Sequence, residues 1–153
     1  MKFIGAISSI VSGIMAIVGL SLTCLEYPLS LTYSGWELIK SEAEATGAVL
    51  FKLFAIIGLI VGIVLILYGI FLLLIDLKVL KVKSKINLYM INNILLSIFV
   101  FCMILAFVGA WVMKGDALVP DKTHIGVGTW LMLVIPAVLC LLSWILARKP
   151  SKK

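Results

Sequence analysis

Four long apolar runs, at 3–23, 49–75, 88–113 and 127–147, occupy most of this 153-residue chain. Each approaches or exceeds the roughly 20 residues that cross a bilayer core as a helix. A helix satisfies its own backbone groups where no water can, so such runs have few other conformations open to them in lipid. With 63% hydrophobic residues, 13% charged residues and a mean hydropathy of +1.26, the chain lacks the polar surface of a water-soluble domain. The expected fold is an all-α membrane protein, a single tetraspan domain over 1–153. It is a four-transmembrane-helix bundle with a short β/helix element in its first extracytoplasmic loop.

The net charge of +6 belongs to this topology before it belongs to any ligand. Lys78, Lys81, Lys83 and Lys85 fall between the second and third runs, and Arg148, Lys149, Lys152 and Lys153 form the tail. With Lys2, these make nine of the 13 basic residues, all at one end of the spans. The opposite end holds Lys40, Lys52, Lys114 and Lys122 among Glu26, Glu37, Glu42, Glu44, Asp116 and Asp121. The positive-inside rule then predicts a multi-pass protein of the plasma membrane with both termini, the 76–87 loop and the 148–153 tail in the cytoplasm. Loops 24–48 and 114–126 face outward. Lys78, Lys81, Lys83 and Lys85 are candidates for contact with anionic lipid headgroups. Nucleic acid is not an expected partner.

The first run opens on a lysine, as a secretory signal does, but it outlasts a usual signal core and shows no small-x-small cleavage site. A retained span is therefore expected. Residues 21–24, SLTC, resemble a lipoprotein cleavage box with leucine one place out of register, which leaves modification of Cys24 open.

Loop 24–48 carries most of the surface that could meet a partner. Leu29, Leu31 and Tyr33 alternate with Ser30, Thr32 and Ser34, the period of a short strand. Gly35 breaks the run, and Trp36–Ala45 contains helix formers with Glu37, Glu42 and Glu44 interspersed. The expected order is strand, turn, then a short acidic helix entering the second span. Tyr33, Trp36, Glu37, Glu42 and Glu44 are the candidate partner contacts, with interfacial anchoring as the other reading of Trp36.

Small residues form ridges on the first two spans: Gly5, Ser9, Gly13 and Ala16 on one, and Ala55, Gly58, Gly62 and Gly69 on the other. Such ridges let helices approach closely, either within one bundle or across a dimer. Asn92 and Asn93 lie about a turn inside the third span, where an unpaired amide is costly, so both are expected to bond to other helices. Asp76, at the end of the second span, is expected to pair locally beside Lys78. Pro136 is expected to kink the fourth span.

Several chemistries lack their residues. No ionisable side chain falls near the middle of a span, where coupled transporters and proton pumps hold one. Small multidrug transporters use a glutamate in their first span, and this first span has no acid. Cys24, Cys102 and Cys140 do not supply the outer pairs that disulfide-generating enzymes exchange. His124 is the only histidine, and no HExxH or acid/histidine cluster offers a metal site. The Gly126-Val127-Gly128 triplet lacks the strand, helix and acid of a nucleotide site. The chain reads as a non-enzyme with no cofactor.

Four spans, a longer first outer loop with strand character and Trp36, and a short helix into the second span resemble the claudin and peripheral myelin protein superfamily in layout. Claudins follow their tryptophan motif with a loop disulfide, whose cysteines are missing here. The loop is also similar to that of small prokaryotic tetraspan proteins, mostly of unassigned function. There a cysteine ending span one is followed by a strand and then by the pattern matched at Thr32, Ser34, Gly35, Trp36, Glu37 and Leu38. These resemblances imply a tetraspan fold. The function expected is that of an accessory, structural or self-assembling subunit, in a homo-oligomer or a larger membrane complex, that presents its first outer loop to a partner. The alternative is a small oligomeric channel or transporter whose pathway runs between subunits and is lined by Asn92 and Asn93.

Overall fold

A computed structural model describes residues 3–27, 29, 31–42, 44–83, 87–116 and 123–148. Among these, four helices are long and apolar enough to cross a membrane: α1 (Phe3–Ser21), α3 (Thr46–Asp76), α4 (Leu88–Gly115) and α5 (Val127–Arg148). Between α1 and α3 lie strands β1 (Thr23–Tyr27) and β2 (Leu31–Ser34) and the six-residue helix α2 (Gly35–Lys40). A two-residue strand, β3 (His124–Ile125), precedes α5. Lys85, Lys122 and the Lys149, Lys152 and Lys153 tail lie outside the described residues.

The helices differ in length, and this difference makes room for the sheet. At about 1.5 Å per residue, the 31 residues of α3 extend about 46 Å, while the 19 of α1 reach about 28 Å. A hydrocarbon core is about 30 Å thick, so α3 and the 28-residue α4 rise past the end of α1. Leu22 leaves the helix, and Thr23 begins a strand, where the apolar run alone predicted helix to residue 23.

Small residues set the helix spacing. Gly13 of α1 faces the Gly62 carbonyl of α3, and an added Cβ at Gly13 would also lie 2.5 Å from Ile66 Cγ1. Near the upper end, a Cβ on Gly47 would fall 2.7 Å from the Met113 amide nitrogen and 2.8 Å from the Gly109 carbonyl. Backbone meets backbone at both places, which suits a medium in which helices associate through packing and polar contact. Gly58 packs on Met103, and Gly5 lies beside Asn92, Tyr89 and Ser143. The two glycine ridges are thus engaged inside one bundle.

A buried polar seam joins α1, α4 and α5. Asn92 is 0% exposed; its Oδ1 accepts the Ser9 hydroxyl at 2.7 Å and its Nδ2 donates to the Gly5 carbonyl at 3.1 Å. Asn93 Oδ1 accepts the Ser143 hydroxyl, and the Ser97 hydroxyl accepts the Trp144 indole N–H at 3.0 Å. Ser12 is buried on the same helix as Ser9, and its hydroxyl has no hydrogen-bond partner among the described residues. Pro136 is buried within α5, whose helix runs on through it.

At the end opposite the sheet, α3 closes in a Schellman motif. The Val79 N–H donates to the Leu74 carbonyl at 3.0 Å and the Lys78 N–H to that of Ile75 at 2.9 Å. The left-handed position falls on Lys78, with φ of 60°, where glycine would be unstrained. Asp76 accepts the Tyr89 hydroxyl across the α3–α4 turn, so its partner is a phenol rather than the neighbouring Lys78. Tyr68 also ties this turn, donating to the Leu88 carbonyl at 3.1 Å.

Replacing Gly109 by valine should destabilise the protein by about 1–3 kcal/mol through overpacking. Gly115→Ala, where a Cβ meets nothing within 4 Å, should leave thermal unfolding in detergent nearly unchanged. Equal melting temperatures for the two variants would show that the α3–α4 contact is looser than described.

Candidate interaction surface

The three strands form one antiparallel sheet in the order β2-β1-β3. The alternating residues 31–34 do make a strand, but its partner, β1, lies directly after the first span. That segment, Thr23–Tyr27, starts where the apolar run ends, and its sequence TCLEY lacks the alternation that marks 31–34 as a strand. The sheet also takes in β3 from the connection between α4 and α5, so the element is not confined to the first loop. Leu25 stands opposite Tyr33 and Ile125, while Glu26 stands opposite Thr32 and His124. Side chains alternate across a sheet, so these are two separate rows. The first contains the fully buried Leu25, and the second is a polar row ending in the exposed His124.

Cys24 fixes the sheet to the bundle. The register shifts between Thr23 and Leu25, and Cys24 sits at that irregularity with 0% exposure. Its thiol donates to the Gly19 carbonyl at 3.4 Å. Its carbonyl accepts the Thr129 hydroxyl and the Gly126 N–H, each at 2.9 Å. Cys24 therefore links α1, β1 and the start of α5. Burial pushes its thiol above the ordinary value of 9.0, partly offset by hydrogen bonding with Thr129 and the Gly35 backbone. The Sγ itself is buried in this fold.

Helix α2 begins one residue earlier than expected and ends sooner. Gly35 opens the helix instead of merely breaking the strand, because α2 rests on the end of α1. A Cβ there would lie 2.9 Å from Leu20 Cα. Ser34 is the N-cap: its hydroxyl accepts the Glu37 N–H at 3.3 Å, and Glu37 Oε2 accepts the Ser34 N–H at 2.7 Å. This capping box was written in the sequence as Ser34-x-x-Glu37. The helix stops at Lys40 because Ser41 is extended, with ψ of 145°. Glu42 and Glu44 thus lie in the link to α3 and not on the helix as expected.

The candidate partner residues divide into two groups. Trp36 is half-buried and its indole N–H donates to the Ser21 hydroxyl at 3.1 Å, while Glu37 completes the cap. Both are engaged in holding the loop. Tyr33, Glu42 and Glu44 are exposed, and Tyr33 meets the Tyr27 ring edge-on at 5.7 Å. Leu29, between β1 and β2, is 94% exposed with φ of 69°. On the other side of the platform, the Lys52 ammonium donates to the Ser41 carbonyl, bracing the α2–α3 link.

Below the sheet runs a band of aromatics. Phe107 lies 4.9 Å from Trp130 and 6.2 Å from Trp111, and the Lys114 ammonium sits 5.0 Å from the Trp111 ring. Exposed indoles at one level of α4 and α5 suit a boundary between lipid and water. Among the described residues no group of three or more His, Cys, Asp and Glu side chains could hold a metal ion. Asn92 and Asn93 are buried in the bundle interior, away from its exposed apolar surface. No family profile, curated protein or solved structure matches the chain.

The buried Cys24 thiol sets a pH dependence. Its pKa is higher folded than unfolded, so its stabilising contribution is complete below about pH 9 and declines as pH rises from there towards the folded value. A melting temperature that falls above pH 9, and falls less in Cys24→Ala, is the expected result in detergent. Maleimide should label Cys24 slowly until the protein unfolds.

Proposed function

We propose that this protein is a non-catalytic tetraspan subunit, embedded in the plasma membrane with both termini in the cytoplasm, that presents its outer platform to another membrane polypeptide. The observation that carries this reading is the docking of the loop. The β1–β2 hairpin and α2 are pinned at Cys24, Gly35 and Trp36 to the ends of α1 and α5. A loop so held loses little conformational entropy on association, which favours recognition by a prepared surface.

The surface offered combines an aromatic side chain with acids. Tyr33 is exposed beside Thr32 on the edge strand, and Glu42 and Glu44 are exposed where α2 leads into α3. Tyrosine supplies contact area at low entropic cost, and the acids select for a partner with basic residues nearby. The absence of an ionisable side chain in the middle of any apolar run argues for recognition rather than coupled transport. The partner is a second copy or a subunit of a larger complex.

The test uses gentle solubilisation of native membranes followed by mass determination. The Tyr33→Ala/Glu42→Gln/Glu44→Gln variant leaves Trp36 and the Glu37 cap in place, so it should stay folded and lose stability only by the Tyr27–Tyr33 ring contact, about 1 kcal/mol. Loss of a tyrosine hot spot with its flanking charges should weaken the association by about thirtyfold or more. Full retention of every copurifying chain would rule out this loop as the recognition surface.

A further inference from the structure

The segment that follows α3 has a pattern unlike an ordinary solvated turn. Leu77, Val79, Leu80 and Val82 are 56%, 67%, 39% and 46% exposed, and they alternate with Lys78, Lys81 and Lys83, also exposed. No acid among the described residues pairs with these lysines, and Asp76 is held by Tyr89. Water is a poor solvent for four exposed aliphatic side chains in seven residues, and lipid tails alone are a poor one for three ammonium groups. The level where acyl chains meet phosphates accommodates both.

We infer that Leu77–Lys83 is an anchor for anionic phospholipid. This rests on the reading that α1, α3, α4 and α5 cross a bilayer, because the segment then leaves α3 at headgroup height. The aliphatic side chains enter the acyl boundary and the three lysines engage lipid phosphates. The Schellman turn sets the path: with Lys78 in the left-handed conformation, the chain folds back across the end of α3 instead of continuing outward. The occupant is a lipid leaflet and not a soluble phosphate, since a free anion would leave the aliphatic side chains in water. Charge complementarity and continuity with a span both favour it over a protein partner.

Purified protein is reconstituted into vesicles of equal phosphatidylglycerol and phosphatidylcholine, then extracted gently, and the lipids still bound are counted by native mass spectrometry. The wild type should retain phosphatidylglycerol preferentially, and added salt should reduce that preference. K78Q/K81Q/K83Q should lower the preference by roughly tenfold or more, while K40Q/K114Q, at the sheet end, should leave it unchanged. Carbonate-resistant flotation with the vesicles reads membrane spanning separately. Wild type that floats without preferring phosphatidylglycerol, or a triple variant that keeps the full preference, overturns the anchor alone. Wild type that fails to float overturns the spanning reading and the anchor with it.

Discussion

Lipid tails are as apolar as the helices they surround, so hydrophobic burial gives two spans little reason to associate. What remains is close packing and hydrogen bonding, and this bundle uses both. Gly13 and Gly62 bring α1 onto α3, Gly47 and Gly109 bring α3 onto α4, and the Asn92 and Asn93 amides bridge α4 to α1 and α5. A side chain at either glycine contact would press on backbone, which cannot move aside as a flexible side chain can. The rest of the architecture depends on these spacings, because the platform is built on the helix ends that they place.

From there the platform follows from unequal helix lengths. The short α1 ends while α3 and α4 continue, and the chain uses the vacant level above α1 for a sheet. β1 starts two residues after α1 ends, too soon for a free linker, and Cys24 turns that short exit into a three-way junction. Glu37 is in the cap and Trp36 on Ser21, so two of the conspicuous loop residues hold the loop together. Tyr33, Glu42 and Glu44 are left to face outward.

The four helices were legible because twenty apolar residues in a row leave few other conformations open. The strand at 31–34 was legible from its alternation, and the helix after it from the helix formers beyond Gly35, while its Ser34–Glu37 cap emerged only with the structure. Its early end at Lys40 was not, since Ser41–Ala45 contains good helix formers and only the need to reach α3 decides the path. β1 was hidden because TCLEY begins where the apolar run ends and has no two-residue alternation to mark it as a strand. β3 has two residues and no local signature, and it exists through a partner about a hundred positions away. Cys24 as a junction could not be read either: its hydrogen bonds run to Gly19, Gly126 and Thr129, and none of these is a conspicuous polar signal in sequence.

Recognition of another polypeptide by the sheet platform is the function proposed for this architecture. Site-specific photocrosslinking in native membranes tests it most directly, with a photoreactive residue at Tyr33 and, for comparison, at Ile60, which is 58% exposed on the apolar surface of α3. A discrete polypeptide adduct is expected from position 33, and lipid adducts from position 60. Lipid or solvent products alone from position 33, in membranes where the protein is at its natural level, would contradict that function.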